Sequence, residues 1–371
     1  MHSNQAPNRN IRRPGERPAS RPSATRTSAG KRRRKAKLKP GALLILLLFA
    51  VAVFFLVKWV ISLADDTPPK KADSRTSSSE TEETLPPEPT PTPTPTPVPV
   101  DLFAGIHSSQ AILVDADDLS VINEKMPDEV VYPASLTKMM TALVISENID
   151  DLDKNITITR DIGDALYNTD ASLGGFEIDE TAPARDLLYG ILLRSGAECC
   201  LALANDVAGS EEEFVVMMND KAKELGLTNT HFMNCTGLQD PSHYSSCRDM
   251  AIILDACMKD PLIKSIMMTK SYNVPPTNVH TEGFTMFNTL LSNFTLPEDA
   301  GFVIEGGKTG YTGTAGQCLA SFAKIDGHEY ILVTVGAFGN PDMGDSLHID
   351  DAKTVYAALR DYLKTKDRSQ G

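Results

Sequence analysis

Ser135 and Lys138 stand three residues apart in V-Y-P-A-S-L-T-K-M-M-T, residues 131–141. Pro133 lies just ahead and an apolar, helix-permissive run follows. If the chain turns helical at Ser135, positions i and i+3 share one face and the lysine amine reaches the serine hydroxyl. A serine hydroxyl is a poor nucleophile until a neighbouring base takes its proton, and an amine does so only when neutral. The pair is thus a candidate for nucleophilic catalysis. Two decoys share its spacing. Ser28–Lys31 lies in a basic, low-complexity tail that offers no pocket. Ser321–Lys324 lies in C-L-A-S-F-A-K-I, which reads as a strand, where i and i+3 face opposite ways. Only Ser135–Lys138 has a helix start.

A second constellation is Lys308-Thr309-Gly310, in E-G-G-K-T-G-Y-T-G-T-A-G. On an edge strand, Lys and Thr bind a carboxylate, while Gly310 lets a substrate approach the backbone. G-G-K-T also resembles the end of a phosphate-binding loop. That motif needs a glycine where this chain has Phe302, and Gly301 is one residue out of register. The phosphate reading is rejected.

The elements that must position these residues follow from pattern. A-I-L-V-D and L-S-V-I-N-E form a hairpin across residues 116–118. C-L-A-S-F-A-K-I and E-Y-I-L-V-T-V-G-A form another, turning at Asp326-Gly327, a strong hairpin signal. Residues 135–265 read as mostly helical, and 349–363 as a closing helix. Strands at both ends with helices between them predict an α+β fold, an antiparallel sheet flanked by helices with an inserted helical subdomain.

Composition divides the chain into four parts. Residues 1–40 carry 13 Lys/Arg against one acid, Glu16, without apolar periodicity, and read as a disordered basic cytoplasmic tail. Residues 41–64 are an apolar run interrupted by Lys58, long enough for the roughly 20 residues that span a bilayer. Trp59 serves as an interfacial anchor. The run is longer than the ~7–15 residues of a signal-peptide core, so an uncleaved transmembrane anchor is expected. The positive-inside rule then puts the tail in the cytoplasm and the rest outside the cell membrane. Residues 65–101 are acidic and then Pro/Thr-rich, a semi-rigid linker of polyproline II character. Residues 102–371 form the globular domain, large enough for a substantial core.

The whole chain has 36 Lys/Arg and 49 Asp/Glu; setting aside the tail leaves 23 against 48, a net −25 over residues 41–371. That excess argues against nucleic acid as a partner. The seven histidines show no paired ligand spacing, so no metal or other cofactor is expected. Of the six cysteines, 199, 200, 257 and 318 lie in apolar runs and read as buried thiols, and Cys235–Cys247 is the one pair open to a disulfide. Met139, Met140, Met217 and Met218 read as core.

P-A-S-L-T-K, L-L-R-S-G-A-E, F-M-N-C-T-G-L with H-Y-S-S-C-R-D-M-A, F-N-T-L-L and G-K-T-G-Y-T-G-T-A-G occur in this order across residues 103–363. Together they resemble the D-alanyl-D-alanine carboxypeptidases, low-molecular-weight penicillin-binding serine peptidases of bacterial cell walls. The resemblance implies that Ser135 attacks the penultimate D-Ala carbonyl of a peptidoglycan stem peptide ending in D-Ala-D-Ala. Lys138 is the implied base, and Ser195 the implied relay of a proton to the leaving amine. Lys308 and Thr309 would hold the terminal carboxylate, with Gly310 and Tyr311 beside it and the N–H groups of Ser135 and Tyr311 as oxyanion hole. β-Lactam antibiotics are the implied covalent inhibitors. The chain departs from the family at one position. A Ser-x-Asn is expected at Ser195, but position 197 is Ala197. The literal matches Ser146–Asn148 and Ser271–Asn273 lack the family context. Two alternatives stay open: a β-lactamase, which shares the fold and the Ser-x-x-Lys, and a catalytically silent penicillin- or peptidoglycan-binding module.

The topology is testable directly. Protease added to spheroplasts is expected to remove the globular domain and leave the basic tail protected. Recovery of a mature chain beginning near Asp65 would instead identify residues 41–64 as a cleaved signal.

Overall fold

Alternation along the strands decides the layering. The computed structural model describes residues 100–339 and 344–368. The basic tail, the expected membrane anchor and residues 65–99 of the linker lie outside the described residues. Strand β1 (Gln110–Asp115) pairs with β2 (Val121–Lys125), and the late strands are β7 (Val303–Thr312), β8 (Gly316–Ile325) and β9 (His328–Ala337). They form one antiparallel sheet in the order β2-β1-β9-β8-β7. Both expected hairpins are present. Asp326 and Gly327 have φ of 51° and 90°, the left-handed pair that a type I′ turn requires.

Both faces of the sheet are covered. Ile112, Val114, Phe322, Ile331 and Val333 face the helical layer. The intervening Ala111, Leu113, Ala323 and Leu332 join a second core with Ile349, Val355, Tyr356 and Leu359 of the closing helix, Leu347–Arg368. The Tyr356 hydroxyl donates to Ser321 O at 3.0 Å and lies 3.1 Å from Ser321 Oγ. The decoy serine is therefore sealed between sheet and helix.

The insertion between β2 and β7 carries helices α1 (Thr137–Asn148), α2 (Arg160–Leu166), α3 (Ala184–Arg194), α4 (Ala197–Ala208), α5 (Glu211–Glu224), α6 (Cys247–Lys259) and α7 (Pro261–Met267), and Leu347–Arg368 is α8. Helix α1 is buried on every side from Thr137 to Ile145, the mark of a central helix rather than an amphipathic surface one. Ser210 and Ser246 cap α5 and α6 by accepting from Glu213 N and Asp249 N, and Asp260 with Pro261 starts α7. Two small ladders break the helical stretch, β3 (Asn155–Thr157) with β4 (Thr181–Pro183) and β5 (Ser271–Val274) with β6 (Phe284–Phe287). At three or four residues each, they are too short to leave a periodic signal.

One pairing left open is closed and one expectation is corrected. All six cysteines are free and buried, so Cys235 and Cys247 are not bridged. They sit in different surroundings: Cys235 neighbours Cys200, Glu211 and Lys138, whereas Cys247 neighbours Cys318 and Asp128. Met217 is only half-buried, while Met139, Met140 and Met218 belong to the core. Among the described residues no helix is long and apolar enough to cross a membrane.

Candidate active site

Ser135 sits in a single 3-10 turn, Ala134–Leu136, that runs directly into α1. Pro133 is preset for this start, and Ala134 takes a left-handed φ of 48°. Such a conformation costs an L-residue free energy and persists where surrounding packing enforces it. Here the packing is close. A Cβ on Gly237 would collide with Ala134 O, and one on Gly310 would come within 3.1 Å of Ser135 N. Two glycines thus let backbone from a loop and from an edge strand abut the turn that carries the serine.

Lys138 follows one turn later and its Nζ donates to Ser135 Oγ at 3.1 Å and to Thr236 O at 2.5 Å. The lysine is 2% exposed. Burial lowers its pKa, against the opposing pull of neighbouring groups that include the Glu198 carboxylate. Lys308 is 1% exposed, and burial first, then the Lys138 charge, brings it to about 7. Each cause disfavours the charged amine. Lys308 donates to Thr309 O at 2.7 Å. Both lysines are buried behind the cleft, so a carboxylate entering it meets the Thr309 hydroxyl first and Lys308 as a charge behind the wall.

The edge position expected for Lys308-Thr309-Gly310 holds, because β7 ends the sheet. Thr309 Oγ1 lies 2.8 Å from Thr289 Oγ1. Thr289 N donates to Leu193 O at 3.0 Å, which ties this strand to the end of α3. There Ser195 caps α3 with a left-handed φ of 63°. Its Oγ has no hydrogen-bond partner among the described residues. Ser135, Ser195, Thr309, Gly310 and Tyr311 line one cleft of about 340 Å³, with Asp170, Ser172, Asn293 and His348 around them. A larger hollow of about 590 Å³ beside Phe294 and Phe302 gathers no comparable chemistry.

Ala197 is fully buried at the start of α4. The adjacent Glu198 does not reach across to replace an amide there. Its Oε1 accepts from Gly175 N at 2.9 Å and Phe176 N at 3.3 Å, and Ala197 N donates to Ser172 O at 2.9 Å. These bonds strap residues 172–176 to the head of α4. The other Ser-x-Asn matches fall away. Ser146 bonds Asp260 and Asn148 bonds Val144 O, and Asn273 accepts from Thr285. None of the four lines the cleft.

Sequence reasoning missed Thr236, whose carbonyl is the second partner of Lys138, and the cleft residues Asp170, Ser172, Asn293 and His348. A signal for Thr236 existed in N-C-T-G: Asn234 Oδ1 accepts from Thr236 N at 3.2 Å and Gly237 N at 2.7 Å, an Asx turn with glycine at its positive φ. Outside the cleft, Asp115, Asp117 and His328 place one ligand atom each within 4.8 Å of the others, and His328 Nε2 is 2.9 Å from Asp115 Oδ2.

A family model described as D-alanyl-D-alanine carboxypeptidase matches residues 96–339. D-alanyl-D-alanine carboxypeptidase DacF of Bacillus subtilis is 37% identical over 234 residues, covering 62% of this chain and 57% of its own length. DacA of Escherichia coli K12 is 34% identical over 240 residues, 62% of this chain and 56% of its own. The chain thus spans a little over half the length of these relatives. Among solved structures, the Streptomyces K15 DD-transpeptidase matches at TM-score 0.61 and 26% identity, over 68% of this chain and 97% of that one.

The contact between Gly237 and the Ser135 turn generates a prediction. Gly237 has a φ of 81°, so Gly237→Ala combines an unfavourable backbone with a collision at Ala134 O. Strain of this kind costs about 1–3 kcal/mol. The denaturation midpoint is expected to fall accordingly. Covalent labelling of Ser135 by a serine-directed acylating probe should slow at least tenfold, and an unchanged labelling rate would show that the turn tolerates the shift.

Proposed function

Because the chain belongs to the D-alanyl-D-alanine carboxypeptidase family, we propose that it is a serine-type D-Ala-D-Ala carboxypeptidase acting on peptidoglycan stem peptides. The observation that carries this reading is the buried Lys138 amine, 3.1 Å from the Ser135 hydroxyl at the floor of the cleft. In the neutral amine, one N–H engages Thr236 O, which leaves the lone pair free to turn toward Ser135. Ser135 Oγ bonds to the carbonyl carbon of the penultimate D-Ala as its proton passes to Lys138. Oxygen charge develops against the N–H groups of Ser135 and Tyr311. Collapse breaks the C–N bond, and Ser195 relays a proton to the departing D-Ala amine. Water then attacks the ester, releases the shortened peptide and restores the Ser135 hydroxyl. Thr309, with Lys308 behind it, receives the terminal carboxylate.

β-Lactams present an acylable carbonyl beside a carboxylate and are expected to arrest the same serine as stable esters. The apolar run at 41–64 supports tethering to the outer membrane face with the N-terminus in the cytoplasm. Among the described residues, the acids lining the cleft are Asp170 and Asp345. Glu198 is engaged with the 175–176 backbone, so no glutamate there favours rapid β-lactam turnover.

Release of D-Ala from an acylated L-Lys-D-Ala-D-Ala tripeptide tests the reading. Ser135→Ala is expected to abolish both release and labelling by a fluorescent penicillin, and Ser321→Ala to leave both unchanged. Rapid turnover of the penicillin would favour a β-lactamase, and the absence of both hydrolysis and acylation a silent binding module. Ala197→Asn restores the family's amide. A hydrogen bond of this kind is worth about 1–3 kcal/mol, with ~1.4 kcal/mol per tenfold in rate. Acylation should rise, within a ceiling of roughly 150-fold; a fall would mean that the packing around Ala197 has closed on the site.

A further inference from the structure

His243 lies outside the cleft lining, is 2% exposed, and makes two directional bonds. Met233 N donates to its Nδ1 at 3.1 Å, and its Nε2 lies 2.7 Å from Thr137 Oγ1. Because Nδ1 accepts, a neutral ring must carry its proton on Nε2 and donate it to Thr137. The histidine therefore joins the 233–237 loop to the first turn of α1, at the residue preceding Lys138. One turn further along, Thr141 Oγ1 donates to Cys235 O at 2.7 Å. Between these two rivets Lys138 Nζ meets Thr236 O.

The consequence concerns the direction of a lone pair. A neutral amine has two N–H donors and one lone pair. With an N–H committed to Thr236 O the lone pair is kept off that carbonyl and left to the remaining directions, one of which faces Ser135 Oγ. A loop allowed to drift would let the amine rotate its lone pair away and admit water behind it. We infer that His243 is a positioning residue: by clamping Met233 to Thr137 it holds the Thr236 carbonyl where it orients the Lys138 amine toward Ser135. This rests on the reading of Ser135 and Lys138 as nucleophile and base. The ionisable groups around Lys138 are Lys308, Glu198, Cys199, Cys200 and Cys235, and those around His243 are Asp240, His231 and Lys138.

The test uses the full-length chain with His243→Phe, which keeps a ring against Phe232 but forms neither bond, and Thr137→Val, which removes the acceptor alone. Each is expected to slow penicillin acylation by roughly tenfold and to move the acidic limb of its pH profile to higher pH, since water readmitted behind Lys138 relieves its desolvation. The double variant should be no slower than the slower single one, because both remove the same bond. His243→Gln, whose amide can still donate to Thr137, should recover part of the rate. Titration of Lys138 by NMR of [ε-¹³C]lysine, assigned with Lys138→Arg, reads the same shift without any turnover. Failure of the wild type to acylate would overturn the catalytic reading while leaving this titration able to support or refute the clamp. Folded His243→Phe and Thr137→Val proteins with wild-type rates and an unmoved Lys138 titration would overturn the clamp, as would losses that multiply in the double variant.

Discussion

Two lysine side chains are buried side by side beneath one small cleft, and neither finds a carboxylate partner within hydrogen-bonding distance among the described residues. Removing an ammonium from water without a counter-ion is among the largest unfavourable terms a fold can contain, and the usual outcome is loss of the proton. That outcome is what serine activation needs. The unfolded chain keeps each amine at the ordinary lysine value, whereas folding brings Lys308 to about 7. Over the interval between those values the unfolded state binds more protons, so stability rises with pH there and is diminished at and below neutrality. The remainder of the domain must offset that cost. Two continuous apolar cores, one on each face of the sheet, do so.

Two of the seven non-glycine residues with positive φ among the described residues lie at the same place. Ala134 and Ser195 both adopt left-handed conformations without being glycine, and each stands at the start of a segment that delivers a functional side chain. Sharp turns at these points bring Ser135, just ahead of α1, and Ser195, just ahead of α4, into the lining of one cleft. Burial on all sides of α1 and the strap at residues 172–176 oppose relaxation of either turn.

Much of this arrangement was legible in residue order. The Ser135–Lys138 spacing required only a helix, and the final hairpin beyond Lys308 announced itself by an Asp-Gly turn that is nearly unambiguous. The edge place of the Lys308 strand was a supposition that the sheet order bears out. What stayed illegible depends on contacts between segments distant in sequence. Thr236 meets Lys138 through a backbone carbonyl, and a carbonyl leaves no compositional trace. F-N-T-L-L was recognisable as a motif without a role. Its asparagine spans two neighbouring loops, donating to Met267 O and Thr269 O and accepting from Leu290 N and Leu291 N, while its threonine bonds Thr309. Short ladders such as β3–β4 escape because three residues cannot display a period.

The departure at Ala197 is best understood as a redistribution of partners. An amide at this point would offer a donor and an acceptor that Ala197 lacks. Without it, the only hydrogen-bond acceptors on Lys138 among the described residues are Ser135 Oγ and Thr236 O. The whole burden of orienting the amine then falls on the 233–237 loop. That loop is correspondingly well held, by Asn234 within itself, by Thr141 and His243 against α1, and by the paired backbone bonds of His231 with Tyr244. Ser195, with no bond of its own among the described residues, keeps its hydroxyl available for whatever enters the cleft. With no polar group at Ala197, the placement of the Lys138 amine rests on that backbone carbonyl, which must be fixed more firmly than a flexible amide would need to be.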